Sequence, residues 1–170
     1  AAIITASRKI GTRSPQEDED NPELQEFSFD SERKRMSSVR EIGERYSLEK
    51  ISDIFGDRQV LAMKGATDSI LSISKYIYRD GEVQQITEED KERVREMNEE
   101  YSEGAMRVLA IAYRPLEESG EDYEMEEVEK DVVFLGLMAM IDPPKEGVRA
   151  AIGKAHEAHV RTFIMTGDHA

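Results

Sequence analysis

The apolar residues of this chain fall into short runs between polar segments, and several runs have the length and spacing of β-strands. Leu24, Phe27 and Phe29 predict a half-buried strand, and the next run predicts its hairpin partner. A buried run further along is closed by Pro115. The predicted strands cover residues 24–30, 35–42, 59–65, 107–115 and 132–141.

Two other segments have helical spacing. Ile70, Ile73 and Ile77 recur at the period of a helix. Thr87 precedes three acidic residues, a combination that favours a helix start through side-chain capping and the helix dipole. The predicted helices cover residues 66–78 and 87–106, with a turn at 80–82 between them.

The rest of the first 141 residues is polar or lies at the amino terminus. Residues 3–9 indicate the end of an amphipathic helix that Gly11 stops. Two prolines and a run of acids at 12–23 predict an exposed loop. Residues 117–131 are predicted to be an acidic surface segment.

The pattern changes at Asp142, where Asp-Pro-Pro ends the preceding strand. A helix and then a buried strand are predicted beyond it, at 145–158 and 160–165. This βαβ rhythm is typical of a parallel sheet, whereas the segments before it are rich in hairpins. The predicted domains are therefore residues 1–141 and 142–170.

Composition narrows the classes of partner. The chain has 170 residues, 37 acidic against 23 basic, and a formal net charge of −14, which argues against nucleic acid as a main partner. A small anion in a local basic pocket is compatible with this charge, because salt screens distant carboxylates beyond about 8 Å. The absence of cysteine excludes disulfides and thiolate chemistry and is compatible with a reducing cytosol.

Neither a membrane span nor a secretion signal is predicted. The longest apolar run, 132–141, is half of the roughly 20 residues that a transmembrane helix needs. The cations near the amino terminus follow the apolar stretch, whereas a signal peptide has them before it. We therefore expect no direct membrane insertion by this chain.

Three cations stand at strands or turns: Lys34, Lys64 and Arg107. If their strands adjoin in one sheet, the three positive groups can converge on one anion, with Phe29 as an aromatic face beside them. Alternatively, Lys34 and Arg107 point outward from their strands and Phe29 belongs to the core. Spacing alone leaves both alternatives open.

The chain has no P-loop and no Gly-x-Gly-x-x-Gly motif. His156 and His159 are three apart on a predicted helix, but no cysteine or further carboxylate cluster completes a ligand set, so no metal site is predicted. Asp168 follows a predicted buried strand in a Thr-Gly-Asp turn, which suits phosphate or magnesium chemistry. An ordinary polar turn is the alternative.

The separate motifs resemble, in order, those of the cytoplasmic nucleotide-binding region of P-type cation-transporting ATPases. The resemblance covers nearly the whole chain. It implies an α+β fold, a twisted antiparallel β-sheet flanked by helices, followed by a partial βαβ piece of a haloacid-dehalogenase-like phosphorylation domain. The motifs are FDSERKRMS (29–37), KGA (64–66), MRVLAIAYR (106–114), MIDPPKEGV (140–148) and MTGDH (165–169).

The resemblance also implies roles for single residues. Phe29 stacks on adenine, Lys34 and Lys64 line the pocket, Gly65 lets the backbone approach, and Arg107 reaches the phosphates. Supporting contacts come from Ser31, Met36 and Leu109. A phosphate-contacting loop comes from Thr166, Gly167 and Asp168.

Some family features are absent from the chain. Thr67 and Asp68 follow KGA where the family usually has Pro-Glu, which changes the turn but keeps the lysine. The family's Gly-Asp-Pro-Thr-Glu stretch, whose acid contacts adenine, would fall just before Ala1, so the chain is expected to be a piece truncated at its N-terminal edge. The Asp-Lys-Thr-Gly-Thr phosphorylation motif is also missing, so the piece is expected to bind ATP but to form no phosphoenzyme.

The resemblance places the piece in an ATP-driven cation pump of calcium or related type, as a monomeric cytoplasmic domain of an integral membrane protein. Magnesium accompanies ATP in the parent, where the partners are the phosphorylation and actuator domains. Two rivals remain: an acidic protein-interaction module with an empty nucleotide pocket, and a dehalogenase-like hydrolase. The missing nucleophile counts against the hydrolase.

The basic cluster at 33–35 is predicted to have divided roles. Phe29 and Lys34 are five apart, so an unbroken strand points them to opposite faces. Both reach one pocket only if Asp-Ser-Glu turns the chain between them. Arg33 and Arg35 are then expected to be solvated strand charges.

Overall fold

The computed structural model of the chain describes residues 21–43, 59–116, 122–141 and 145–163. The chain divides into two compact units between Met140 and Ile141. Several predicted features lie outside the described residues: the helix end at 3–9, most of the loop at 12–23, the start of the acidic segment at 117–121, the Asp-Pro-Pro at 142–144, and the loop at 166–170.

The first unit is built on a seven-stranded sheet with strand order β1-β2-β3-β6-β7-β4-β5. Its pairings are antiparallel except that β4 runs parallel to β7, a departure from the predicted all-antiparallel sheet. The strands predicted within this unit are confirmed, and β4 and β5 are additional. The strands are β1 (Glu23–Asp30), β2 (Arg35–Glu41), β3 (Gln59–Gly65), β4 (Ser74–Arg79), β5 (Glu82–Gln85), β6 (Arg107–Leu116) and β7 (Val132–Met140).

The helices described in this unit are α1 (Thr67–Ile73), α2 (Glu88–Glu103) and α3 (Met125–Val128). The prediction of one helix over 66–78 is wrong in its second half, because the chain passes from α1 into β4 at Ser74. Ile77 therefore pairs with Phe134 of β7 and does not continue the helix. Pairing with a distant strand outweighs local helical spacing here.

Both faces of the sheet carry buried apolar side chains. Along β3, Val60 and Leu61 point to opposite faces and belong to different clusters. The larger cluster joins the sheet to the three described helices, through Leu71 of α1, Val94 of α2 and Val128 of α3. This cluster is therefore the core between the sheet and these helices.

The apolar residues of β1 do not all face this core. Phe27 packs against the larger cluster, whereas Leu24 is 40% exposed and Phe29 is 64% exposed. The pairing of β1 with β2 changes register between Phe27 and Asp30. A bulge of this kind redirects the following side chain, so Phe29 leaves the core face although it lies only two residues beyond Phe27.

The predicted start of α2 is confirmed as a capping box. The Thr87 hydroxyl accepts a hydrogen bond from the Asp90 N–H at 3.1 Å, and the Asp90 carboxylate accepts one from the Thr87 N–H at 3.0 Å. Arg79 of β4 donates to the same carboxylate at 2.8 Å. Asp90 therefore connects α2 to the sheet.

Asp90 is expected to make the stability of this unit depend on pH. Hydrogen bonds from the backbone and hydroxyl of Thr87, and from Arg79, lower the pKa of Asp90 from 3.8 to about 2, although burial opposes this. Because the pKa is lower in the folded state, the stabilisation of about 1–2 kcal/mol is complete above pH about 4 and is lost as the pH falls through about 2. In urea unfolding near neutral pH, the free energy of unfolding of Asp90→Asn should therefore be lower than that of wild type by this amount.

The difference between wild type and Asp90→Asn should shrink as the solution is acidified. Glu89→Gln is the control, since Glu89 is an exposed acid in the same helical turn. A stability difference for Asp90→Asn that is constant from neutral pH to pH about 2 would contradict this explanation.

The described part of the second unit contains α4 (Val148–Glu157), which confirms the helix predicted at 145–158. The strand predicted at 160–165 is wrong for residues 160–163, which have no regular structure. Val160 and Phe163 are 55% and 76% exposed. A strand needs a hydrogen-bonding neighbour, and residues 145–163 contain no strand to supply one.

None of the described helices has the length and apolar content that spanning a bilayer requires.

Candidate functional site

A cleft of about 690 Å³ opens beside the turn between β1 and β2. Its lining residues are Phe29, Ser31, Lys34, Met36, Lys64, Gly65, Ala66, Arg107, Val108 and Leu109. Every site residue predicted within the first unit is therefore on its wall. Ala66 and Val108 are missing from the predicted set, although each lies inside a motif that the sequence analysis singled out.

Strand register brings these residues together. Met36 of β2 pairs with Lys64 of β3, and Gly65 pairs with Ala110 of β6. The carboxyl end of β3 therefore lies between the start of β2 and the start of β6, where Arg107 stands. Thr166, Gly167 and Asp168 lie outside the described residues, so their part in a site stays a prediction.

The predicted turn after Phe29 is present. The Asp30 carboxylate accepts hydrogen bonds from the N–H groups of Glu32 and Arg33, each at 2.9 Å, and its carbonyl accepts one from the N–H of Lys34 at 2.7 Å. The backbone bonds from Arg33 and then Glu32 lower the pKa of Asp30. This turn allows Phe29 and Lys34 to line one cleft from the two sides of the turn.

Lys34 has a left-handed backbone conformation, with φ of 52°. This conformation costs an L residue about 1–2 kcal/mol and persists only where the surroundings hold it. The side chain of Lys34 is exposed. The fold therefore holds the backbone of Lys34 in a strained conformation, while the charged group of its side chain stays accessible.

Phe29 is not a core residue, as one sequence-based alternative had it, because 64% of its surface is exposed. Among the described residues, no ion pair holds Lys34, Lys64 or Arg107. The cleft thus combines an accessible aromatic ring with three cations whose positive charges have no carboxylate partner in the described structure. This combination suits a ligand with a flat aromatic part and an anionic part.

Arg33 and Arg35 are not the solvated strand charges that the sequence predicted. Arg33 donates to Glu129 at 2.5 Å and Arg35 donates to the other carboxylate oxygen at 2.9 Å. Ser37 also donates to Glu129, at 2.7 Å. We call these four residues the Glu129 cluster. The arginine side chains are 17% exposed and that of Glu129 is 2% exposed, so the prediction of an acidic surface at 117–131 is wrong at Glu129.

The charged state of Glu129 depends on these donors. Burial by itself raises the pKa of Glu129, but the hydrogen bonds from Arg33, Ser37 and Arg35 outweigh burial and lower the pKa. Removing a partner from a buried ion pair leaves an uncompensated charge and is strongly destabilising. We therefore expect loss of one member of the Glu129 cluster to destabilise this unit. No local sequence signal shows the cluster, because 94 residues separate Arg35 from Glu129.

Gly65 sits where the turn meets β3. A Cβ atom at this position would lie 2.5 Å from the Cβ of Arg35 and 2.7 Å from the carbonyl oxygen of Lys34. The absence of a side chain lets β3 approach the turn, and the next residue, Ala66, donates its N–H to the Lys34 carbonyl at 2.8 Å. Gly65 therefore sets how close the two lysines of the cleft can lie.

Within the parts of the chain that the structure describes, no group of three or more His, Asp or Glu side chains is arranged to hold a metal ion. His156 lies 3.2 Å from the Thr162 hydroxyl. Among the described residues, the cationic and aromatic cleft is therefore the candidate functional site.

Known proteins match nearly the whole length of this chain. The family described as P-type ATPase, cytoplasmic domain N, matches residues 1–147. Calcium-transporting ATPase 1 of Lactococcus lactis is 37% identical over 168 residues, which are 99% of this chain and 18% of that protein. The calcium-transporting ATPase of Bacillus subtilis is 35% identical over 168 residues, 99% of this chain and 17% of that one.

A eukaryotic relative shows the same pattern. The sodium/potassium-transporting ATPase subunit alpha of Tetronarce californica is 33% identical over 156 residues, which are 88% of this chain and 14% of that protein. The chain therefore spans less than a fifth of the length of these relatives.

Proposed function

Because the chain belongs to the family of P-type ATPase cytoplasmic N domains, we propose that it binds ATP for an ATP-driven cation pump and presents it to an aspartate outside this chain. One observation supports this function above the others: Phe29, Lys34, Lys64 and Arg107 line a single cleft of about 690 Å³. Such a volume is in the range of small-molecule sites.

Each part of the cleft has a role in this proposal. Phe29 stacks on adenine, which contributes about 1–3 kcal/mol for an aromatic ring on a base. Lys34 and Lys64 line the pocket, and Arg107 binds phosphate through charge-assisted hydrogen bonds. Gly65 allows close approach. Supporting contacts come from Ser31, Met36 and Leu109.

In the whole pump, Thr166, Gly167 and Asp168 contact phosphate, and magnesium accompanies ATP. The names of the bacterial relatives support a calcium-type pump. The chain is then a monomeric cytoplasmic domain of an integral membrane protein. Its partners in the parent are the phosphorylation and actuator domains.

Titration of the chain with ATP tests the proposed function. We expect saturable binding by calorimetry, with NMR shifts at Phe29 and Lys64. Lys34→Ala should weaken ATP binding about fivefold, because an accessible cation contributes a modest charge-assisted contact. The matched control is Lys75→Ala on β4, a half-exposed lysine that does not line the cleft. No shift at millimolar ATP would favour the acidic interaction module instead.

The isolated chain should bind ATP without hydrolysing it. A P-type pump transfers the γ-phosphate to an aspartate, and the sequence has no Asp-Lys-Thr-Gly-Thr motif to supply that nucleophile. Release of inorganic phosphate from ATP should stay at the rate of the buffer blank. A steady rate of phosphate release above that blank, abolished by a competing nucleotide analogue, would contradict the proposal that hydrolysis needs an aspartate outside this chain.

A further inference from the structure

The backbone of Lys34 is held on both sides, although its side chain is free in the cleft. Its N–H donates to the Asp30 carbonyl at 2.7 Å, and its carbonyl accepts from the Ala66 N–H at 2.8 Å. Its φ of 52° lies in a region that an L residue occupies only when the surroundings impose it. The direction of the Lys34 side chain therefore depends on what fixes the turn.

The two neighbours of Lys34 are fixed by one carboxylate. Arg33 and Arg35 bind different oxygens of Glu129, at 2.5 Å and 2.9 Å. Arg33 also donates to the Ser28 carbonyl at 2.7 Å, so it ties β1 and the turn to the same point. Glu129 thus binds the residues immediately before and after Lys34.

A second contact closes the turn from the side of α1. The Ser69 hydroxyl donates to the Arg33 carbonyl and accepts from Arg35 at 3.1 Å. The side chain of Lys34 takes no part in any of these contacts, which leaves it available to a ligand. The Glu129 cluster and Ser69 therefore constrain the backbone of Lys34 and not its charged group.

The backbone of the segment that leads into Glu129 is fixed independently of the turn. Tyr123, just before α3, exchanges two hydrogen bonds with the Gln25 side chain of β1, at 2.9 Å and 3.0 Å. Arg114 of β6 donates to the carbonyl of Val128, the residue next to Glu129, at 3.1 Å. The segment that leads into Glu129 is thus anchored to the sheet by hydrogen bonds to its backbone that do not involve the residues around Lys34.

From this geometry we propose that Glu129 is a positioning residue for nucleotide binding: through Arg33 and Arg35 it holds the turn in the conformation that aims Lys34 into the cleft. The assignment rests on the proposed function for the identity of the ligand. Glu129 lines no part of the cleft, so its effect on the ligand passes through Lys34.

The first test uses the chain without nucleotide. In Glu129→Gln, the Cα and Cβ chemical shifts and the three-bond HN–Hα coupling of Lys34 should move away from the values of a positive-φ residue. Glu126→Gln removes an equal charge from an exposed position on α3 and should leave these signals unchanged. Retention of the positive-φ signature in a folded Glu129→Gln chain would overturn the proposal.

The second test is a double-mutant cycle with ATP as the probe, measured by calorimetry well below the unfolding midpoint of each variant. Glu129→Gln should weaken ATP binding about threefold in the wild-type background, and by less than about 1.5-fold in the Lys34→Ala background. An equal loss in both backgrounds would show general destabilisation and would overturn the positioning role. Unchanged binding by Glu129→Gln would overturn it as well.

Arg33→Gln keeps the proposal testable if Glu129→Gln does not fold. It releases one connection between Glu129 and the turn, while Arg35 and Ser37 still bind the carboxylate. The same change in Lys34 signals and the same loss of additivity with Lys34→Ala are expected. If wild type fails to bind ATP, the proposed function fails, and the Lys34 signals of the unliganded variants still decide whether Glu129 fixes the turn.

Discussion

Phe29→Ala is expected to weaken ATP binding by between about fivefold and a hundredfold, because stacking of a base on an aromatic ring contributes about 1–3 kcal/mol. The free energy of unfolding should change little. Phe29 is 64% exposed and belongs to neither apolar cluster, so truncating its ring opens no cavity. Calorimetric titration with ATP, together with urea unfolding, measures both effects.

Phe27→Ala is the matched control. Phe27 lies two residues earlier on the same strand and packs against the larger core cluster. Its truncation should cost about 2–4 kcal/mol of unfolding free energy and leave the affinity of the remaining folded protein nearly unchanged. If Phe29→Ala lost stability and kept affinity, Phe29 would have the structural role that the sequence left open.

Gly65→Ala should impair both stability and ligand binding. The new Cβ would lie 2.5 Å from the Cβ of Arg35 and 2.8 Å from its Cα, distances that require the turn and β3 to separate. Forcing extra volume into such a contact costs about 1–3 kcal/mol. Since Lys34 and Lys64 stand on opposite sides of this contact, we also expect ATP affinity to fall about tenfold or more.

Gly153→Ala provides the comparison for this variant. Gly153 lies in α4, and a Cβ built there meets no atom within 4 Å. In a helix interior this substitution should be neutral or mildly stabilising. Unfolding and ATP titration of the two variants separate the steric effect from any general effect of losing glycine. Wild-type affinity in Gly65→Ala would show that the close approach has no bearing on the cleft.

Most of the architecture was predictable from short-range patterns. The strands 24–30, 35–42 and 59–65 were identifiable because apolar runs of strand length end at turn residues. The helix after Thr87 was identifiable because a capping residue followed by acids is a local signal of helix starts. Such signals act over a few residues and need no knowledge of the fold.

The errors occurred where distant residues compete with local pattern. The sequence around Ile77 has helical spacing, but its backbone pairs with Phe134, 57 residues away. The strand expected at 160–165 has no neighbouring strand within residues 145–163. Pairing energy depends on which strand lies alongside, and spacing in the sequence carries no information about that neighbour.

The sequence by itself determined the residue types of the cleft, their order along the chain, and the need for a turn after Phe29, since these follow from local chemistry and from the period of a strand. Only the tertiary structure decided that Phe29 leaves the core and that Arg33 and Arg35 bind Glu129. The bulge in β1 depends on its pairing with β2, and the buried ion pairs depend on a carboxylate far along the chain. Local sequence identifies neither of these partners. Burial also determines which charges must find a partner and which, like Lys34, stay available for a ligand.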